Sequence, residues 1–326
     1  MRIAILGAGA WGSALAISLG ARHDVVLWTR SAENCERLAR ERVSAYLPQC
    51  PLPAAIRIEC DITTAMGGCE LAIIATATAG LRPVAESIAR SGAAVQLLWA
   101  CKGFEETTRR LPHEIVAECL AAFGEAGALS GPSFALEVAR GQPTALVLAS
   151  ENAAYAQATA AALNSPRLRL YSSADLRGVE LGGAVKNVIA IAAGICDGLE
   201  LGRNARAALV TRGLAEMVRL GTAMGGHAET FMGLAGLGDL VLTCTGELSR
   251  NREVGVGLAQ GLALDDALAR LGHVAEGVRS AEAVRERARA YALEMPITEA
   301  VCSVLSGAVA PTVAVQRLLM RDPRPE

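Results

Sequence analysis

Lysine is nearly missing from this 326-residue chain. Of its 31 Lys+Arg residues only Lys102 and Lys186 are lysines, which leaves 31 − 2 = 29 arginines. Solvated cationic faces are therefore built from guanidinium groups. An amine is kept where its distinct chemistry counts, since a desolvated amine can lose its proton near neutral pH and a guanidinium cannot. Aromatic residues make up 3% of the chain, the formal net charge is −2, and no block of like charge occurs. Base-stacking platforms and a basic face are both absent, which argues against nucleic acid or an anionic membrane as partner. The four histidines, His23, His113, His227 and His273, lie far apart in sequence without metal-ligand spacing. Nine cysteines are scattered at 35, 50, 60, 69, 101, 119, 196, 244 and 302, with no C-x-x-C. An odd, unframed set predicts reduced thiols in a cytoplasmic protein and no metal site.

What is present in quantity is apolar: 52% hydrophobic against 20% charged residues. Such a chain buries a large core, and its length predicts two domains. Residues 3–21 are apolar enough to resemble a signal or membrane segment, but Gly7, Gly9 and Gly12 interrupt them. They read as a buried strand and a helix, and no integral membrane segment is expected.

The strand at 2–6 runs into Gly7-Ala8-Gly9-Ala10-Trp11-Gly12, a helical stretch at 13–19 and a second strand at 25–28. This is the context a dinucleotide fingerprint requires. Gly7 permits the tight turn, Gly9 lets the backbone approach a pyrophosphate, and Gly12 lets the helix lie close to the strand. The helix N-terminus offers N–H groups and a positive dipole end to the phosphates. The second strand ends in Thr29-Arg30-Ser31, without the acidic residue that holds a ribose 2′-hydroxyl. Arg30 suits a 2′-phosphate, so NADP is expected, with NAD open.

Strands follow near 55–59, 71–75, 95–99, 127–130, 144–149 and 168–171, alternating with helices near 79–90, 110–123 and 152–162. This alternation predicts a doubly wound α/β sheet over residues 1–178. Lys102 follows the strand at 95–99, at the carboxyl end where open sheets place ligands. Ser133, in the turn 131–135, is a candidate helix cap. From about residue 175 helical periodicity takes over, at 180–198, 204–223, 250–260, 279–292 and 296–306, predicting a mostly α-helical part over 179–326. Lys186 sits in the run 181–194, an otherwise uncharged helix, as candidate acid/base residue. Gly182 and Gly183, one turn before it, suit a ligand or another backbone coming close. The stretch 233–252 reads as irregular, with a buried Asp239 leading to Ser249-Arg250-Asn251 at a helix start, a set that suits a phosphate. Cys244 lacks a histidine in sequence reach and is not expected to act as a nucleophile.

The turn at 7–12, Lys102-Gly103, GPSFA at 131–135, LGGAVKNVIAIAAG at 181–194, GLAGLGDLVLTC at 233–244, SRNR at 249–252 and AEGV at 275–278 together resemble the bacterial type of NAD(P)-dependent glycerol-3-phosphate dehydrogenase. The resemblance runs over nearly the whole chain. It implies a Rossmann-like sheet followed by a helical domain. It also implies reversible reduction of dihydroxyacetone phosphate to sn-glycerol 3-phosphate for glycerophospholipid synthesis, and a homodimer. Carried over by position, it makes Lys186 the proton donor and acceptor at the C2 oxygen. It puts Lys102, Gly131, Ser133, Asp239, Ser249, Arg250 and Asn251 at the substrate, with Arg250 and Asn251 on the phosphate. Gly7, Gly9, Ala10, Trp11, Gly12, Arg30, Lys102, Ala135, Arg250, Val274 and Glu276 fall at the cofactor. The chain departs from the family's usual Ser or Thr at Ala10 and Cys101, and from its usual Val-Pro-Ser/Thr at Ala75-Thr76-Ala77. Two other readings stand beside it. One is a 3-hydroxyacid dehydrogenase, in which an asparagine one turn after the lysine is expected and position 190 is alanine. The other is a nucleotide-sensing binding protein, which needs the glycine turn but not both lysines.

Overall fold

The computed structural model describes residues 1–120, 124–272 and 274–321; His273 and the 121–123 end of the helix expected at 110–123 lie outside them. The chain forms two compact units. One comprises Met1–Lys102 and Arg110–Leu176; the other comprises Gly103–Arg109 and the chain from Arg177 onward.

The first unit is an eight-stranded sheet: β1 (Arg2–Leu6), β2 (Asp24–Trp28), β3 (Arg57–Glu59), β4 (Leu71–Ile74), β5 (Gln96–Trp99), β6 (Ala126–Ser130), β7 (Thr144–Ala149) and β8 (Leu168–Ser173). Its order is β3-β2-β1-β4-β5-β6-β7-β8. The helices are α1 (Ala10–Gly20), α2 (Ala32–Glu41), α3 (Ile62–Met66), α4 (Leu81–Ser91), α5 (Pro112–Cys119), α6 (Ala135–Ala139) and α7 (Ala153–Leu163). This is the expected doubly wound, Rossmann-like arrangement. Central strands such as β4 are apolar and buried along their whole length because helices cover both faces. Strand order reverses between β1 and β4, so the crevice for a ligand lies at their carboxyl ends. One pairing departs from parallel: β6 and β7 are antiparallel, with Ala128 opposite Ala149. An apolar run carries no sign of direction, so the pattern alone did not reveal this. Helix α2, absent from the sequence reading, is started by Ser31, whose Oγ accepts from the Asn34 N–H at 3.1 Å.

The second unit is helical: α8 (Leu176–Gly198, starting at the last residue of the first unit), α9 (Gly202–Ala223), α10 (Ala228–Met232), a π-type turn (Leu234–Gly238), α11 (Asp239–Thr245), α12 (Arg250–Ala259), α13 (Leu264–Leu271), α14 (Glu276–Ala290), α15 (Pro296–Leu305) and α16 (Pro311–Leu319). The expected irregular stretch at 233–252 is thus largely helical. Its glycines are there for packing rather than for breaking helices. A Cβ on Gly236 would fall 2.1 Å from the Phe231 carbonyl oxygen, and one on Gly182 would fall 2.6 Å from that of Ala235. Of the two options for Gly182, a backbone makes the close approach. A boundary at residue 178 leaves Gly103–Arg109 with the sheet; in the structure Arg109 Nε donates to Glu286 Oε2 at 2.7 Å, among the helices.

Among the described residues α8 alone is long and apolar enough to cross a membrane, a candidate the sequence reading passed over; its most apolar window is wholly buried in protein. Gly194 of α8 and Gly255 of α12 bring the two backbones together: a Cβ on either would lie about 2 Å from a carbonyl oxygen of the other helix. Glu216 of α9, also buried, accepts from the N–H groups of Ile297 and Thr298 at 2.6 and 3.1 Å, capping α15.

Candidate active site

In the first unit the glycine turn has the geometry expected of it. Gly7 has φ +130°, which favours glycine. Its N–H donates to the Trp28 carbonyl at 3.0 Å, tying the turn to the end of β2. A Cβ on Gly12 would lie 1.8 Å from the Gly7 oxygen, so helix and turn touch. Among the described residues a Cβ at Gly9 would meet nothing within 4 Å, and no side chain caps α1. The first-turn N–H groups, including those of Ala10 and Trp11, therefore open onto a bare, uncrowded face. Thr76, just past β4, carries a buried Oγ1 that finds no hydrogen-bond partner among the described residues, close to Gly7. A cradle a side chain would fill, a helix N-terminus and an unpaired hydroxyl at the switch point together fit a dinucleotide pyrophosphate.

Arg30 is exposed at the end of β2. Behind it, Asn34 Nδ2 donates to the buried Thr29 at 3.0 Å. Trp11 and Ala135 pack on the same small cluster of Ala14, Leu47, Cys50 and Val138, so α1 and α6 present them together. Gly131, with φ +127°, turns the chain after β6. Its carbonyl accepts from Lys102 Nζ and from Ser133 Oγ, each at 3.0 Å. One oxygen thus gathers three of the expected residues. Ser133 is not the cap of α6: the cap position is Phe134, and the Ser133 hydroxyl is turned back to Gly131.

The second unit holds the other set. Lys186 is buried on α8, and its Nζ donates to Asp239 Oδ1 at 2.6 Å and to Thr243 Oγ1 at 2.9 Å. The turn around it is uncharged in sequence, as expected, but α11 supplies a carboxylate from 53 residues away. That carboxylate favours the ammonium against the desolvation that opposes it. Thr243 was missed by the sequence reading. Its signal was present, because it lies four residues after Asp239 on one helix face. Its Oγ1 also donates to the Asp239 carbonyl at 2.6 Å, which orients a lone pair toward the amine.

Helix α12 starts where expected. Ser249 Oγ caps it, accepting from the Arg252 N–H at 3.3 Å. Arg250 is solvent-accessible, yet enough protein surrounds its guanidinium for desolvation to pull its pKa below the usual range; the Glu276 carboxylate opposes this. An arginine so placed remains cationic at neutral pH. Arg252, two residues on, is taken up by Asp197, which accepts from its Nε at 2.6 Å. Val274 and Glu276 stand half-buried at the start of α14. Burial pushes the Cys244 thiol up to about 12, which keeps it protonated and unreactive. Among the described residues no group of three or more His, Cys, Asp or Glu stands together as a metal site.

Comparison with known proteins adds to this geometry. Residues 2–156 match the model of the N-terminal part of NAD-dependent glycerol-3-phosphate dehydrogenase, and residues 175–316 match that of its C-terminus. The chain is 56% identical to a glycerol-3-phosphate dehydrogenase [NAD(P)+] of Paucimonas lemoignei, covering 100% of this chain and 98% of that one. It is 55% identical to its counterpart in Thiobacillus denitrificans, with 100% of both covered. The crystal structure of glycerol-3-phosphate dehydrogenase from Coxiella burnetii superposes with a TM-score of 0.94 at 42% identity, covering 98% of this chain and 99% of that one. A glycine turn whose geometry fits a pyrophosphate and a buried amine held by a carboxylate agree with the matches over both halves, which place this chain in the NAD-dependent glycerol-3-phosphate dehydrogenase family, to which it belongs.

Proposed function

We propose that this chain is an NAD(P)-dependent sn-glycerol-3-phosphate dehydrogenase. The reaction is dihydroxyacetone phosphate + NAD(P)H + H⁺ ⇌ sn-glycerol 3-phosphate + NAD(P)⁺, feeding glycerophospholipid synthesis. The observation that carries the reading is the buried Lys186 amine held at 2.6 Å by Asp239, with Arg250 at the start of a helix that packs on the lysine's own. The cofactor, when bound, supplies the hydride. Gly7, Gly9, Ala10, Trp11 and Gly12 hold its pyrophosphate, Arg30 its 2′-phosphate, and Ala135, Val274 and Glu276 adjoin it.

Lys186 stabilises negative charge as it develops on the C2 oxygen, then delivers a proton there. Asp239 and Thr243 keep the amine charged and aimed. Arg250 neutralises the substrate phosphate, and the first-turn N–H groups of α12 add donors. Lys102, Gly131, Ser133 and Ser249 complete the substrate lining. The remote phosphate supplies binding energy that orients C2. Bulk enzyme is expected as a cytoplasmic homodimer.

The test is NADPH oxidation with dihydroxyacetone phosphate, for the wild type and for Lys186→Ala and Lys186→Arg. Turnover is expected to fall by orders of magnitude in both variants while NADPH binding, read by fluorescence, persists. Near wild-type turnover in either variant removes Lys186 from the chemistry.

A further inference from the structure

We infer that Arg37 is a second cation for the cofactor's 2′-phosphate, beside Arg30, and that the Asn34 side chain is the positioning residue that holds it there. This deepens the function proposed above and rests on it.

In a dinucleotide site that prefers NAD, a carboxylate at the end of the second strand holds the ribose 2′-hydroxyl. Here Thr29 stands at that end. It is buried, and its N–H donates to the Glu59 carbonyl at 3.0 Å, so a neutral residue is fixed in the place of the acid. Its Oγ1 accepts from Asn34 Nδ2 at 3.0 Å, and Asn34 Oδ1 accepts from Arg37 Nη2 at 2.5 Å. A guanidinium only donates, so the amide end facing it is the oxygen and Nδ2 faces Thr29. The Asn34 side chain is not needed to start the helix, because Ser31 Oγ takes its backbone N–H.

Side chains on a helix lean toward its N-terminus. Arg37, in the second turn of α2, therefore reaches back over the first turn, and the amide it meets is itself anchored on the residue before Arg30. Glu33 stands four residues before Arg37, a spacing at which the two could pair, yet the guanidinium lies on the Asn34 amide. Among the described residues neither Arg30 nor Arg37 has a carboxylate at ion-pair distance, whereas Arg40, one turn further on, is paired with Glu41 at 2.8 Å. Two uncompensated guanidinium groups beside a neutral threonine suit a phosphate, which takes charge-assisted hydrogen bonds from arginine.

The test compares adenosine 2′,5′-bisphosphate with adenosine 5′-monophosphate, which differ only in the 2′-phosphate, by calorimetry on the whole protein. Arg37→Ala should weaken the bisphosphate about tenfold, the loss of one charged hydrogen bond, and move the monophosphate less than about twofold. Arg37→Lys keeps the charge and should recover part of the loss. Asn34→Leu, close in volume but without the amide, should lower the preference for the bisphosphate as well. The double variant Asn34→Leu/Arg37→Ala should be no weaker than Arg37→Ala alone. Arg40→Ala is the control for charge in general and should leave the preference unchanged at about 0.15 M salt. Equal losses for the two nucleotides in Arg37→Ala, or a matching loss in Arg40→Ala, would take Arg37 off the 2′-phosphate. A loss in Asn34→Leu that adds to that of Arg37→Ala would remove Asn34 as its holder. A wild type that binds both nucleotides equally overturns the inference and leaves reduction of dihydroxyacetone phosphate with NADH standing. A wild type that shows the preference but reduces no dihydroxyacetone phosphate overturns the functional reading alone.

Discussion

Replacing Asp239 with asparagine tests the pair at the centre of the second unit. The Lys186 and Asp239 side chains are 8% and 2% exposed, and the ions meet at 2.6 Å. With an effective dielectric of about 20, opposite unit charges at that distance attract by roughly 6 kcal/mol. Withdrawing two such ions from water costs several kcal/mol each, so the intact pair is close to balance. Removing one partner is different, because the other stays buried without its counter-charge, a loss of about 3–5 kcal/mol. Asp239→Asn keeps the volume and one acceptor, and Thr243 Oγ1 still accepts from the amine. The expected loss is at the lower end, about 3 kcal/mol. On a unit of roughly 150 residues that lowers the calorimetric Tm by about 6–12 °C. Turnover falls as well, since the ammonium is less favoured. Lys186→Met should lose a similar amount by stranding the carboxylate. The double variant Lys186→Met/Asp239→Leu removes both ions and should recover more than half of either loss. A Tm for Asp239→Asn within about 1 °C of wild type, or losses that simply add, would refute the reasoning.

At the glycine turn, Gly9→Ala and Gly12→Ala separate ligand from packing. The first meets open space and should keep its melting temperature while NADPH affinity drops about tenfold or more; the second overlaps the Gly7 carbonyl and should lose stability. Equal melting losses in the two variants would contradict this. Arg30→Ala should raise KM for NADPH by about tenfold and leave NADH unchanged, the loss of one charged hydrogen bond; equal effects on both cofactors would take Arg30 off the 2′-phosphate. Burial raises the Glu216 pKa despite the hydrogen bonds it accepts from Ile297 and Thr298. The folded state therefore holds that proton more tightly than the unfolded chain, whose carboxyl titrates near about 4.3. Its contribution is fully present below that value and is lost as pH rises through the raised folded pKa. Wild-type stability minus that of Glu216→Gln, from urea melts, should fall with rising pH across this window, and a rising difference would contradict the assignment.

Local sequence determined what depends on local rules. The glycine turn was legible because only glycine allows φ +130° at Gly7 and backbone contact at Gly12. The start of α12 was legible because Ser249 is a good cap. The rarity of lysine singles out Lys102 and Lys186 in the sequence itself. Glycines misled at 233–238, where they admit a tightly packed π-type turn instead of ending a helix. Helix α16 has no counterpart in the sequence reading; its Pro311 sits in the first turn, where proline is well suited. Only the tertiary structure decided which groups meet. The antiparallel β6–β7 pairing, the carboxylate that holds Lys186 from 53 residues away and the hydrogen bonds of Asn251 with Asn187 and Gly277 join segments far apart in the chain. No local preference encodes such meetings, because they follow from how whole helices and strands bury their apolar faces together.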